Sequence, residues 1–305
     1  MQMLLHHYPM SPYSEKIRLM FGYTGTAWRG VISPEMPPRP NLDPVLAGYR
    51  KIPVAQDGAD FYCDTRLISA ELAARCGRPE LDPAQCDEAA LGLEAGLEHE
   101  VFWACVTSLP ASQVLKQLVR NISIIGAYRF IKDRAVVARK AASKPVPPKE
   151  APVLFRRHLE GLERILSKGA DFLGGAAPNH LDFAAYHTLW FQRVVGERPE
   201  PDGVPAVLAW YARMGAFGHG EQREVSGENA FQAIRDSKPL PVSPERAAHD
   251  QVGQRVRIGP DDYAMDVTEG VLVGADAQRW IIARQTDYGT VHIHFPSDGF
   301  VLSLA

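Results

Sequence analysis

Apolar and polar positions follow three different rhythms along the chain, and each rhythm marks a different stretch. Between residues 3 and 77 the rhythm is mixed. "MLLHHY" (3–8) is a short apolar run and predicts a strand. In the next stretch Tyr13, Ile17, Met20 and Phe21 fall on one side of a helix, with Glu15, Lys16 and Arg18 on the other, and Gly22 is its expected stop. "TAWRGVIS" (26–33) predicts a second strand, and "PEMPPRPNLDP" is too rich in proline to be regular. "KIPVAQDGADFYC" reads as a hairpin, two β runs around an Asp57-Gly58 turn. "DTRLISAELAARCG" predicts a helix with Leu67, Ile68 and Leu72 inward and Gly77 as its stop. The order β-α-β, loop, β-β-α makes one α/β unit over residues 1–77.

From residue 87 the period is helical throughout. Long periodic segments, among them "SQVLKQLVRNISIIGAYRFIKDRAVVARKAA", predict an all-α bundle over 87–237, interrupted by the proline-rich break at 143–152. "GENAFQAIRDSKP" reads as one more helix leading into the tail. Over 245–305 the period shortens to that of strands: "QRVRI", "EGVLVGA", "RWIIARQT", "TVHIHF" and "FVLSL", separated by Asp- and Gly-rich turns. They predict a small antiparallel β domain.

Composition narrows the class. Apolar residues make up 46% and charged residues 23% of the 305, the balance of a soluble globular protein, and the net charge of -3 predicts no nucleic-acid or anionic-membrane partner. No apolar run is long enough to span a bilayer. The N-terminus is too short and wrongly built for a secretory signal. Cys63, Cys76, Cys86 and Cys105 are irregularly spaced with no C-x-x-C, which speaks against a zinc or dithiol motif and for reduced thiols in the cytoplasm. No metal site is expected.

Three short stretches carry chemistry. In "YPMSPYSEKIRLMF" Ser11 and Pro12 suit the N-cap and first position of a helix. Such a helix end lowers the pKa of a thiol placed on it, and a serine hydroxyl there can donate one more hydrogen bond to the sulfur. The chain offers no cysteine at this point, so the thiol would arrive with a ligand. In "RKIPVAQ" Pro53 stands before a strand, and a cis bond would turn the Ile52 backbone outward to meet a peptide-like ligand. In "CDTRLI" Asp64 and Thr65 sit where the hairpin hands over to a helix, a place for an amine and a carboxylate as well as for an ordinary cap.

In this order the three stretches resemble the glutathione transferase family. Residues 1–77 look like its thioredoxin-like glutathione-binding domain, "SPYSEKIR" is similar to the serine-proline or cysteine-proline helix starts of the tau and omega classes, and "KIPV" looks like the cis-proline segment. "PNHLDFAAYHTL" resembles the family's buried capping box, with Asn179 as the cap and Asp182 as its partner. "VPAVLAWYARM" resembles the last bundle helix. The resemblance covers about residues 3–217.

It implies glutathione as co-substrate, activated by Ser11, with Tyr8 and Ser14 as rival hydroxyls. Ile52 would bind the cysteinyl backbone with Pro53 in cis, Lys51 the glycyl carboxylate, and Asp64 and Thr65 the γ-glutamyl end. Asp-Thr replaces the usual Glu-Ser, so the acidic arm is one methylene shorter. The implied activity is attack of the thiolate on a small electrophile in an apolar cleft, in a cytoplasmic homodimer of the detoxification kind, with Tyr13, Phe102, Trp103 and Tyr128 as candidate linings. Two alternatives stand beside it: a non-catalytic binding or scaffolding module on the same fold, and a glutathione-dependent thiol transferase or reductase, which needs a cysteine where Ser11 stands. His292 and His294 share one strand face, either as a hydrogen-bonded pair or as two metal ligands. The cluster at 129–140 reads as a solvated helix face, and Cys63 as a buried structural thiol.

Overall fold

A computed structural model describes residues 2–86, 88–142 and 145–305. Asp87, the expected start of the helical unit, and Ser143 and Lys144, which open the proline-rich break, lie outside the described residues. The first unit contains β1 (Leu4–His7), α1 (Pro12–Thr24), β2 (Trp28–Ile32), the short α2 (Asp43–Leu46), β3 (Val54–Asp57), β4 (Asp60–Cys63) and α3 (Thr65–Cys76). β1 pairs parallel with β2 and antiparallel with β3, which pairs antiparallel with β4. This is the thioredoxin-like arrangement.

Helix α1 begins where the sequence places it and ends later. Ser11 is its N-cap, accepting from the Ser14 N–H at 3.1 Å. The helix passes Gly22 and stops at Gly25, whose φ of 64° supplies the left-handed cap. Its polar side is not solvated: Glu15, Lys16 and Arg18 are all buried. Arg18 bonds Glu15 through Nε at 3.0 Å and Nη2 at 2.8 Å, and also reaches His7 Nδ1 at 3.1 Å. Ion pairing inside the fold therefore makes a charged stripe compatible with burial.

The helical part comprises α4 (Glu88–Gly96), α5 (Phe102–Thr107), α6 (Ala111–Lys140), α7 (Ala151–Leu166), α8 (His180–Trp190) and α9 (Pro205–Gly215). One-turn π segments join α4 to α5 and extend α8. Within α6 the chain breaks at Ser123, with φ 74° and ψ 168°, and the Ser123 hydroxyl recaps the helix by accepting from Gly126 N–H at 3.3 Å. The helical period continues across the break, so the sequence reads as one helix. Asn179 and Asp182 form the expected capping box on α8, and Asp182 also accepts from Trp210 Nε1 at 2.7 Å.

Beyond α9 come β5 (Gln222–Val225), which the sequence does not announce, and α10 (Gly227–Arg235). After the short α11 (Pro244–Ala247), the tail forms β6 (Arg255–Pro260), β7 (Thr268–Ala275), β8 (Arg279–Thr286), β9 (Gly289–Pro296) and β10 (Phe300–Leu304), paired antiparallel as expected. These strands join the first sheet: β9 pairs parallel with β4 and β5 with β2, giving the order β10-β6-β7-β8-β9-β4-β3-β1-β2-β5. The two histidines serve this join. His294 Nε2 lies 2.9 Å from Asp60 Oδ1 on β4, and His292 Nδ1 lies 3.9 Å from the same oxygen. One apolar cluster contains Val45, Leu46, Tyr49 and Phe61 together with Ile258, Leu272, Ile293 and Phe295 from the tail.

Candidate functional site

Three loops of the first unit converge on one cleft against the helices: the β1–α1 turn, the segment before β3 and the β4–α3 junction. The cleft has a volume of about 820 Å3, and Tyr8, Ser11, Lys51, Ile52, Pro53, Asp64 and Thr65 all line it. These are the sequence-derived candidates except Ser14. Ser14 is fully buried and is not among the lining residues; its N–H serves the Ser11 cap instead.

The cap leaves Ser11 chemically competent. Its Oγ accepts from Ser14 through one lone pair, and its proton, which faces the Tyr8 oxygen, can be turned to a ligand atom. Ser11 is 1% exposed, so a charge beside it would feel little solvent screening. Tyr8 lies alongside. Burial pushes its phenol above the usual value, against the pull of Arg134, Arg39 and a hydrogen bond with Ser11. The phenol is therefore a neutral donor near pH 7. His7, behind it, is buried and bonded to Arg18; burial and the Arg18 charge hold its imidazole down at about 3.

The Ile52–Pro53 bond is cis, and Ile52 precedes the β1–β3 ladder, which begins at Val54. Asp64 is the N-cap of α3 and accepts from Arg66 N–H at 3.0 Å, with φ 75° and ψ 141°. That backbone region is nearly exclusive to glycine and costs about 1–3 kcal/mol in a residue with a side chain. Asp64 lines the cleft at this strained position.

Behind Thr65 lies a buried charge cluster that the sequence does not reveal. Lys16 Nζ on α1 lies 3.5 Å from Thr65 Oγ1, 3.4 Å from His180 Nε2 and 3.7 Å from Glu94. Glu94 also contacts His180, and Arg66 Nε at 3.7 Å. Burial alone would raise the Glu94 pKa, but His180, Lys16 and Arg66 outweigh it and bring the carboxyl down to about 2. The cluster ties α1 and α3 of the first unit to α4 and α8.

The helical wall is aromatic. Tyr13 packs against Phe102 with ring centres 4.8 Å apart, and Trp103 follows. Tyr128, expected among them, is 67% exposed on α6 and does not line the cleft. The 129–140 cluster is not simply a solvated face. Asp133 and Arg134 are half-buried and turn toward the first unit, where Arg50 meets Asp133 at 2.5 Å.

The tail supplies the remaining wall. Tyr263 meets Trp103 edge to face at 5.3 Å and accepts from Arg134 Nη1 at 3.1 Å. Asp262 bonds Lys51 Nζ at 2.8 Å, and Asp298 pairs with Arg66. Gly48, with φ 134°, lets this segment close in: a Cβ there would lie 2.2 Å from the Val267 carbonyl oxygen. None of these tail contacts was legible in the sequence, where "PDDYAMD" and "PSDGF" look like ordinary turns. Among the described residues no three His, Cys, Asp or Glu side chains gather as a metal site, and no helix is long and apolar enough to cross a membrane.

The site can be set beside known proteins. Profiles of the glutathione S-transferase N-terminal and C-terminal domains match residues 5–80 and 137–213. No curated protein matches the sequence. Among solved structures, a GST-like protein from Pseudomonas syringae is 31% identical over 100% of both chains, with a TM-score of 0.79. A tau-class glutathione S-transferase from mango, Mangifera indica, is 16% identical over 70% of this chain and 89% of that one, with a TM-score of 0.46. A glutathione S-transferase from Methylobacillus flagellatus KT, solved with glutathione bound, is 18% identical over 70% and 95%, with a TM-score of 0.43. The Pseudomonas match runs through both profile regions and the tail strands alike, and with it the chain belongs to the glutathione transferase family.

Proposed function

We propose that the protein is a cytoplasmic glutathione transferase in which Ser11 stabilises the thiolate for attack on a small electrophile. The observation that carries this reading is the Ser11 hydroxyl, buried at the α1 N-terminus yet lining the cleft beside cis-Pro53. Asp64 would take the ligand amine, Thr65 and the α3 N-terminus its carboxylate, and the Ile52 backbone the cysteinyl peptide group. The thiol then lies over the α1 N-terminus. The Ser11 O–H donates to the sulfur as charge develops, and the neutral Tyr8 phenol supports Ser11. The electrophile packs against Tyr13, Phe102 and Trp103. In the family's manner the enzyme would work as a homodimer.

Thiol transfer ranks lower because it needs an accessible thiolate at the cleft. Cys63 is fully buried, and burial pushes its thiol well above the usual value. A pure binding module would keep the cleft without the hydroxyl's role. Titrating the ultraviolet absorption of bound glutathione thiolate tests the difference. Ser11→Ala is expected to raise the bound thiol's pKa and cut turnover of an aryl halide by about 10²-fold. Tyr8→Phe should cost less. An unchanged pKa and turnover in Ser11→Ala would remove Ser11 from the chemistry.

A further inference from the structure

Resting on the reading just given, we propose that Asp262 is a specificity-determining residue. It occupies the place of a ligand carboxylate at Lys51, so the cleft selects a γ-glutamyl-cysteinyl thiol whose far end is uncharged. Lys51 is the side chain expected to receive the glycyl carboxylate, and it is already engaged from the tail. Asp262 Oδ1 accepts from Lys51 Nζ at 2.8 Å, and the ammonium also lies 5.7 Å from the centre of the Phe300 ring. The loop that presents Asp262 is fixed on both sides. Its backbone carbonyl accepts from Ala142 N–H at 2.9 Å, and the Asp261 N–H donates to Gly299 at 3.1 Å.

The neighbouring cations are engaged as well. Arg50 pairs with Asp133 at 2.5 Å and Asp266 at 3.6 Å, and Arg134 lies 3.0 Å from Asp133. Arg50 and Lys51 are thus each paired with a carboxylate, the Arg39 guanidinium beside them donates to the backbone oxygens of Pro34, Glu35 and Arg50, and His99 Nδ1 lies 3.9 Å from Asp262 Oδ2. A ligand carboxylate reaching Lys51 would have to displace the Asp262 carboxylate or lie beside it, like charge against like charge, in a partly desolvated place. A primary amide of the same size removes that charge and brings two N–H donors for the Asp262 carboxylate. The pairs are partly exposed, Lys51 at 24% and Asp262 at 22%, so the preference is one of degree and weakens with salt.

Isothermal titration at neutral pH and low salt compares glutathione with its glycyl amide on the full-length protein. The amide is expected to bind about threefold more tightly. Asp262→Asn is expected to abolish or reverse that order, as glutathione gains Lys51. Asp266→Asn, which leaves the Lys51 pair intact, should narrow it by a smaller factor. Glutathione binding as tightly as the amide or more tightly to the wild type would overturn the proposal and leave the transferase reading standing. An amide preference that survives both substitutions would overturn it as well, since the preference would then have another source. If neither thiol binds the wild type, the transferase reading on which the proposal rests falls instead.

Discussion

Asp64 combines a strained backbone with a place in the cleft wall. Its φ of 75° is held although the residue carries a side chain, and its carboxylate both caps α3 and lines the cleft. Asp64→Gly relieves strain of about 1–3 kcal/mol, loses a few tenths in capping and returns some entropy to the unfolded chain. The expected outcome is a protein more stable by about 1 kcal/mol in denaturant melts that binds glutathione at least tenfold more weakly. A variant that is less stable would show that the backbone at Asp64 is unstrained. Ser11→Cys probes the other residue. A thiol at this helix end should ionise readily and attack added glutathione disulfide, giving a mixed disulfide detectable by mass spectrometry and releasing one glutathione thiolate. Both positions were legible in sequence because caps, prolines and short motifs act locally. Ser14 was a rival hydroxyl on the same turn, and packing removes it from the cleft.

At the scale of elements, the contact between the first unit and the helices rests on charge as well as apolar packing. Lys16 on α1, Arg66 on α3, Glu94 on α4 and His180 on α8 meet where the sequence offers only separate polar residues on separate helices. The Glu94 pKa of about 2 lies below its ordinary 4.5, so the folded state favours the ionised form. The stabilisation is complete above pH 4.5 and is lost as pH falls through the window toward 2. Glu94→Gln is expected to cost about 3 kcal/mol at neutral pH, because Lys16 loses its carboxylate while buried, and to flatten the acid limb of the stability profile. Adding Lys16→Met should recover part of that loss. If the single variant melts like the wild type at both pH values, the cluster contributes nothing. The period of α6 misleads in a related way. A 3.6-residue rhythm says where a helix runs, but not that Ser123 interrupts it or that Asp133 and Arg134 turn toward Arg50 and Tyr263.

For the whole molecule, the decisive fact is the parallel pairing of β4 with β9. Strand alternation announced four or five strands in the tail, and nothing local could announce their partner, since a parallel join over more than 200 residues leaves no short-range signature. The join changes what the tail is. It covers the β4 edge, shares an apolar cluster with Leu46, Tyr49 and Phe61, and brings Asp262, Tyr263 and Phe300 to the cleft. A chain ending at residue 240 would lose these partners together. It would leave an open strand edge beside an uncovered apolar face, a combination that favours aggregation. The expected result is a truncated protein that is insoluble or melts far below the full chain. In the full chain, hydrogen exchange at β9 should be as slow as at β3 and β4, because opening β9 means opening the shared core. If the truncated protein folds with unchanged stability, or β9 exchanges freely while β3 stays protected, the tail is an attachment to the transferase fold. If both expectations hold, the tail and the first unit form one folding unit, and the cleft wall carrying Asp262 is as firmly placed as the strands beneath it.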